Sequence, residues 1–202
     1  MIVHVEVLSA KVKAVLRDCA KELDGHGVLA VCGFPGSGKS TAAWFVAAAA
    51  GASVLDKDSF APNLEKAVMA QLTGDPYDRD SDSYKTVVAP HIYEGLVRTG
   101  FTVAMKHPVV LDAPFLAAIT QAANAGMSLS EYLRTLASAS APLPVTTIWV
   151  DSSAAEIHSR MTARGEERDA PKLADWEVYQ TAVLDSGLRE IAHSVVDLVI
   201  EN

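Results

Sequence analysis

The sequence predicts an α/β fold, a three-layer sandwich around a five-stranded parallel sheet. Three observations predict it. Short apolar runs alternate with longer stretches of helical periodicity, the signature of repeated strand–helix–strand units. A glycine-rich turn, residues 33–40, separates one such apolar run from an alanine-rich helical stretch. The 202 residues are 50% hydrophobic and 21% charged, a mix that can fill a buried core.

Taken in order, Val5, Leu8, Val12, Val15, Leu16, Cys19 and Leu23 recur at helical spacing, which predicts a leading amphipathic helix over residues 5–23. Val28–Cys32 is unbroken apolar between Gly27 and Gly33, as a strand covered on both faces should be. Lys39–Ala50 predicts a helix that stops at Gly51, and Ser53–Leu55 a second strand. A helix follows over Pro62–Leu72, and the polar stretch GDPYDRDSD (74–82) reads as a loop. Ser83–Arg98 is helical in pattern, with Pro90 set to kink or split it. Val109–Leu111 gives a third strand and Pro114–Asn124 a helix. The pairs Ser128/Glu131 and Ser153/Glu156 have capping-box spacing, which opens helices toward Leu136 and Arg164 around a strand at Val145–Val150. A helix over Lys172–Leu184 and a strand over Val195–Ile200 close the count.

Length and charge narrow the classes. At about 150 residues per domain, one domain spanning 1–202 is expected, with 1–24 as its leading helix segment. Seventeen basic against 25 acidic side chains give a net charge of −8, which disfavours broad binding to nucleic acid or anionic membrane. The longest apolar run, Ala42–Ala50, is far short of the roughly 20 residues of a membrane helix, and the N-terminal segment lacks the unbroken apolar stretch of a signal peptide. A cytoplasmic location is the expectation. Two cysteines are too few for a disulfide scaffold, and Cys32 reads as a buried thiol. The six histidines show no metal-binding spacing.

The chemistry-bearing motif is Gly33-Phe34-Pro35-Gly36-Ser37-Gly38-Lys39-Ser40, followed by Thr41, which matches G-x-x-x-x-G-K-[ST]. Backbone N–H groups of such a loop point at clustered phosphate oxygens, and the following helix N-terminus adds partial positive charge. Lys39 supplies a full charge for the β/γ-phosphates, and the Ser40 hydroxyl can bind Mg²⁺. The expected ligand is a nucleoside triphosphate. Next comes Asp56-Lys57-Asp58 at the end of the second strand. If the chain stays extended, both carboxylates share a face and Lys57 points away. Asp58 is then a candidate general base for a substrate hydroxyl and Asp56 a candidate for orienting substrate or holding a metal-bound water, unless one of them caps the next helix. Asp112 closes an apolar strand and is either a Mg²⁺ ligand, direct or through water, or a turn residue. Arg160, Arg164 and Arg168, four apart, run into the Gly- and Pro-containing segment RGEERDAP. Residues 160–172 are therefore either a mobile lid that carries arginines over phosphates or a solvated charged face balanced by Glu166, Glu167 and Asp169. Arg79 either contacts substrate or pairs with neighbouring acids. Trp176 and Tyr179 read as packing residues.

Taken together, GFPGSGKST, LDKDSF, VVLDAPF and RMTARGEERDAPKLADW resemble the small P-loop kinase-like proteins, a group that includes polynucleotide kinase, zeta toxins and chloramphenicol phosphotransferase. The likeness spans most of residues 28–185. It implies the P-loop NTPase fold with a helical lid, ATP and Mg²⁺ as cofactors, and transfer of the γ-phosphoryl group to a hydroxyl. By position it implies Lys39 and Ser40 on nucleotide and metal, Asp58 as base, and Arg164 and Arg168 on the phosphates. The region Tyr77–Lys106, where a substrate cap would sit, matches no substrate-defining pattern. A small-molecule kinase is the leading expectation. An NTP-hydrolysing module without an acceptor and a nucleic-acid 5′-hydroxyl kinase are the alternatives. The sparse, acid-interleaved basic residues between 56 and 106 argue against the last.

Overall fold

The computed structural model describes residues 8–23, 25–140 and 142–202, with Arg168 described by its backbone alone. Its five strands are β1 (Val28–Cys32), β2 (Ser53–Asp56), β3 (Val109–Asp112), β4 (Val145–Asp151) and β5 (Leu198–Glu201). All pair in parallel in the order β2-β3-β1-β4-β5. The predicted α/β sandwich is therefore the fold.

Alternation along β1 sends its side chains into two cores. Val28, Ala30 and Cys32 join a cluster with Leu96, Leu111, Trp149 and Met161, while Leu29 and Val31 join Leu16, Val46, Val110 and Ile148 on the other face. The second cluster is covered by α1 (Ala10–Glu22) and α2 (Lys39–Ala50). Ser9 caps α1, its hydroxyl accepting from the Val12 N–H at 3.2 Å. The predicted start at Val5 lies outside the described residues. Gly51 ends α2 in the left-handed conformation, at φ 64°. Helices α6 (Leu116–Asn124), α7 (Leu129–Leu136) and α8 (Ala154–Arg164) follow, and both predicted capping boxes form, at Ser128/Glu131 and Ser153/Glu156.

Four expectations are corrected. The chain does not stay extended through Asp58. Strand β2 ends at Asp56, whose carboxylate accepts from the Asp58 N–H at 3.1 Å and the Ser59 hydroxyl at 2.7 Å. That cap starts the helical turn α3 (Lys57–Phe60), which precedes α4 (Pro62–Leu72). Pro90 splits its segment as expected, into a π-helical turn over Tyr84–Val88 and α5, but α5 runs from Ala89 to Ala104, six residues past Arg98. Within that extension Gly100 packs closely on β3, where a Cβ would meet Leu111 Cδ2 at 2.6 Å. The predicted helix over 172–184 breaks at Asp175 into α9 (Ala170–Ala174), α10 (Trp176–Tyr179) and a π-helical turn over Gln180–Leu184. Finally, Val195 ends a helix rather than opening β5. Helix α11 (Leu188–Val195) buries Ala192 and Val195 at helical spacing, and the β-branched pair Val195-Val196 disguises it in sequence.

Candidate active site

The sheet order reverses at β1, with β3 on one side and β4 on the other. Ligands in open α/β sheets bind at such a switch point, outside the carboxyl ends of the strands. Residues 33–40 leave β1 there. Three of their glycines hold positive φ, Gly33 at 150°, Gly36 at 84° and Gly38 at 95°. Space is as restrictive as torsion at Gly33, where a Cβ would sit 2.5 Å from Ser37 Oγ and 2.7 Å from the Val150 carbonyl. The Ser37 N–H donates to the Phe34 carbonyl at 3.1 Å, closing the loop on itself, and Pro35 lies inside that closed bend. Helix α2 begins at Lys39, so Lys39, Ser40 and Thr41 form its first turn and aim a helix N-terminus at the crevice.

Register brings the acids to that loop. Asp112, the last residue of β3, lies opposite Val31 of β1 on one side and Asp56 of β2 on the other. Asp112 is only 2% exposed, and its Oδ1 is buried with no hydrogen-bond partner among the described residues. Burial pushes its carboxyl above the ordinary carboxylate range. The Lys39 ammonium and the Ser40 hydroxyl pull it back, and the negative charges of Asp56 and Asp58 push it further up. A buried carboxylate oxygen without a donor, next to a hydroxyl and an ammonium, suits a small divalent cation. Among the described residues no cluster of three or more His, Cys, Asp or Glu could cage a metal, so the ion would draw its other oxygens from phosphates and water, as Mg²⁺ does. Asp112 and Ser40 fit that role.

Asp58 has the opposite exposure. Its side chain is 51% accessible, on the turn that Asp56 caps, so it can meet a solute directly. Asp56 spends its carboxylate on that cap. Lys57, expected to point away, is instead buried, 3.5 Å from Asp58 and 2.7 Å from Glu65. Glu65 also accepts from the Tyr84 hydroxyl at 2.7 Å and pairs with Arg79 at 3.2 Å. Arg79 thus pairs with an acid, and its guanidinium lies over the Tyr84 ring, 5.1 Å from the centroid. Sequence reasoning missed Lys57, Glu65 and Tyr84. Glu65 sits on a helix of ordinary composition, and only its burial against the segment 79–84 distinguishes it.

On the far side of the loop, α8 lies against Gly36 through Ile157 and Met161. Arg160 does not project into the crevice. Its Nη1 donates to the Ser37 carbonyl at 3.0 Å and to Ser152 Oγ at 2.8 Å, and its Nη2 to the Asn202 backbone oxygen at 3.1 Å. Arg164, at the end of α8, makes a two-pronged pair with the buried Asp169, 2.5 and 2.9 Å. The expected compensation of the arginine run by its own acids is therefore present at Asp169. Arg168 lies on the single 3₁₀ turn Glu167–Asp169, and its side chain is outside the described residues. Trp176 and Tyr179 are half-buried and pack against the core cluster, with Trp176 edge-on to His158 at 4.6 Å.

The AAA domain family model matches residues 28–184, from β1 to the end of the π-helical turn before α11. No curated protein sequence matches the chain. Among solved structures it is similar to a candidate fructose transport system kinase from Silicibacter sp., at 18% identity over 95% of this chain and 100% of that one, with TM-score 0.50. It is also similar to shikimate kinase from Acinetobacter baumannii, at 19% identity over 91% and 87% with TM-score 0.49, and to a gluconokinase from Sinorhizobium meliloti, at 19% over 88% and 83% with TM-score 0.45. At these identities the likeness concerns the fold. With the glycine-rich loop at the switch point of the sheet and the family model spanning well over half its length, the chain belongs to the AAA domain family and is a P-loop kinase-like protein.

Proposed function

We propose that the protein is a phosphotransferase that moves the γ-phosphoryl group of ATP, with Mg²⁺, to a hydroxyl of a small molecule. The observation that carries the reading is the pairing of two carboxylates of opposite exposure on one side of the loop. The buried Asp112 suits a cation, and the exposed Asp58 suits an incoming solute.

The loop amides, the α2 N-terminus and Lys39 bind and orient the phosphates. Ser40 and Asp112 would hold Mg²⁺, which supplies positive charge against the negative charge that builds on the transferring oxygens. Asp58 accepts the proton of the acceptor hydroxyl as its oxygen bonds to the γ-phosphorus. The bond from that phosphorus to the β,γ-bridging oxygen breaks, ADP leaves, and Asp58 returns its proton to water. In this reading residues 160–172 act as a lid that excludes water, and Arg164 and Arg168 are the residues that it would carry to the phosphates. Arg164 must give up part of its pairing with Asp169 to reach a phosphate. An acceptorless ATPase would need no exposed carboxylate beside the crevice, which is why the transferase reading is preferred. The net charge of −8 disfavours a nucleic acid as the acceptor. A cytoplasmic site of action is part of the proposal; among the described helices none is long and apolar enough to cross a membrane.

The test is a screen of hydroxyl compounds with γ-labelled ATP. The expected result is label transferred to at least one acceptor, with Asp58→Asn retaining ATP binding while transfer falls about 10²–10⁴-fold. Label appearing only as inorganic phosphate with every acceptor, or wild-type transfer by Asp58→Asn, overturns the reading.

A further inference from the structure

Three side chains from separate parts of the fold converge on one carbonyl of the glycine-rich loop. The Ser37 carbonyl accepts from Arg160 Nη1 at 3.0 Å and from Asn202 Nδ2 at 3.2 Å, and lies 2.9 Å from Ser152 Oγ. The single Ser152 proton goes either to that carbonyl or to the Asn202 backbone oxygen at 2.8 Å, while the same hydroxyl accepts from Arg160 at 2.8 Å. The Asn202 N–H donates to the Asp151 carbonyl at 2.9 Å, which fixes it beside the end of β4. Ser152 follows β4, Arg160 lies on α8 and Asn202 follows β5. Ser37 is fully buried, so its carbonyl direction is set by these partners and not by water.

We infer that Ser152, Arg160 and Asn202 are positioning residues that clamp the Ser37–Gly38 peptide and thereby aim the Gly38 N–H at the phosphate site. In a trans peptide the C=O and the next N–H point in opposite directions. The clamp draws the Ser37 carbonyl toward the β4–β5 side, so the Gly38 N–H faces back across the loop, toward the side where Asp112 ends β3. Without the clamp this glycine-flanked peptide is free to flip, since Gly38 tolerates either sign of φ. A flip would present a carbonyl oxygen to the phosphates in place of a donor. The inference makes Arg160 a residue that acts through the loop and not a nucleotide contact, against its expected role. It rests on the proposed nucleotide binding.

The test compares two ligands by calorimetry in Mg²⁺, ATP and inorganic tripolyphosphate, which has the phosphates but no base. Arg160→Met should weaken both by about ten- to a hundredfold, the weight of a charge-assisted hydrogen bond lost from a buried acceptor, and by the same factor within about twofold. Asn202→Ala, which removes one neutral donor and leaves the cores intact, should weaken both by about three- to tenfold, again equally. Each variant should also shift the Gly38 amide ¹⁵N resonance and hasten its hydrogen exchange. Loss confined to ATP makes Arg160 a base contact and overturns the clamp, and so does unchanged binding of both ligands in Asn202→Ala. Wild-type protein that binds neither ligand overturns the nucleotide reading itself.

Discussion

Asp112 and Asp58 lie within reach of the same loop, yet their surroundings ask different things of them. A carboxylate taken out of water resists ionisation, and Asp112 has one oxygen without a donor among the described residues. Because its folded carboxyl ionises at higher pH than in the unfolded chain, the unfolded state gives up that proton first as pH rises. The resulting penalty is absent below about pH 4, grows through the raised folded value and is full above it. Asp112→Asn should therefore melt at a higher temperature than wild type at pH 7 without ligand, and the gap should close toward pH 4. The same variant should lose Mg²⁺-dependent nucleotide affinity. A gap that stays constant across pH in thermal melts would show that burial of charge at Asp112 does not govern stability. The buried Lys57–Glu65–Tyr84–Arg79 group is organised differently. Both Glu65 oxygens have partners, so its charge is compensated where Asp112 stays poised.

At the scale of elements, what could be read in the chain depended on how local the cause was. Strand β1, helix α2 and both capping boxes are set by residues within a few positions of each other, and all lie where the sequence puts them. The turn at Asp56–Ser59 hangs on a single side chain accepting two hydrogen bonds, and alternation alone reads it as more strand. Helix α11 hides behind Val195-Val196, and the last turns of α5 carry Gly100 onto Leu111 of the next strand, a packing contact that the periodicity of the helix alone does not show. The candidate site follows the same division. The glycine-rich loop and both acids were legible. The routing of Arg160 to the Ser37 carbonyl was not, since it depends on where β5 ends. Gly100→Ala tests the close helix–strand approach. Alanine is the better helix former by about 1 kcal/mol, so a loose interface would gain stability. Overpacking at 2.6 Å from Leu111 should reverse that gain and destabilise the protein by about 1–3 kcal/mol in urea unfolding. A stabilised Gly100→Ala would show that the interface has slack.

For the whole molecule, the sheet's reversal at β1 sets the crevice between a half that carries Asp56, Asp58 and Asp112 and a half that carries α8 and the lid segment. A ligand gripped across that divide ties the halves together and stabilises the folded state by mass action. Mg²⁺ with ATP should raise the thermal midpoint of the wild-type protein by several degrees at a hundredfold excess over its dissociation constant, and Lys39→Ala should abolish the rise. Equal shifts in both proteins, in parallel melts with and without nucleotide, would place binding away from the loop.

The strand order carries one more consequence, for the birth of the chain. β1 and β2 are successive in sequence but never touch, because β3 is wedged between them. On the ribosome, then, no two of these five strands can pair until β3 has been synthesised. Until that moment the nascent segment must keep its oily ribbons from clinging to strangers, with only its early helices for cover.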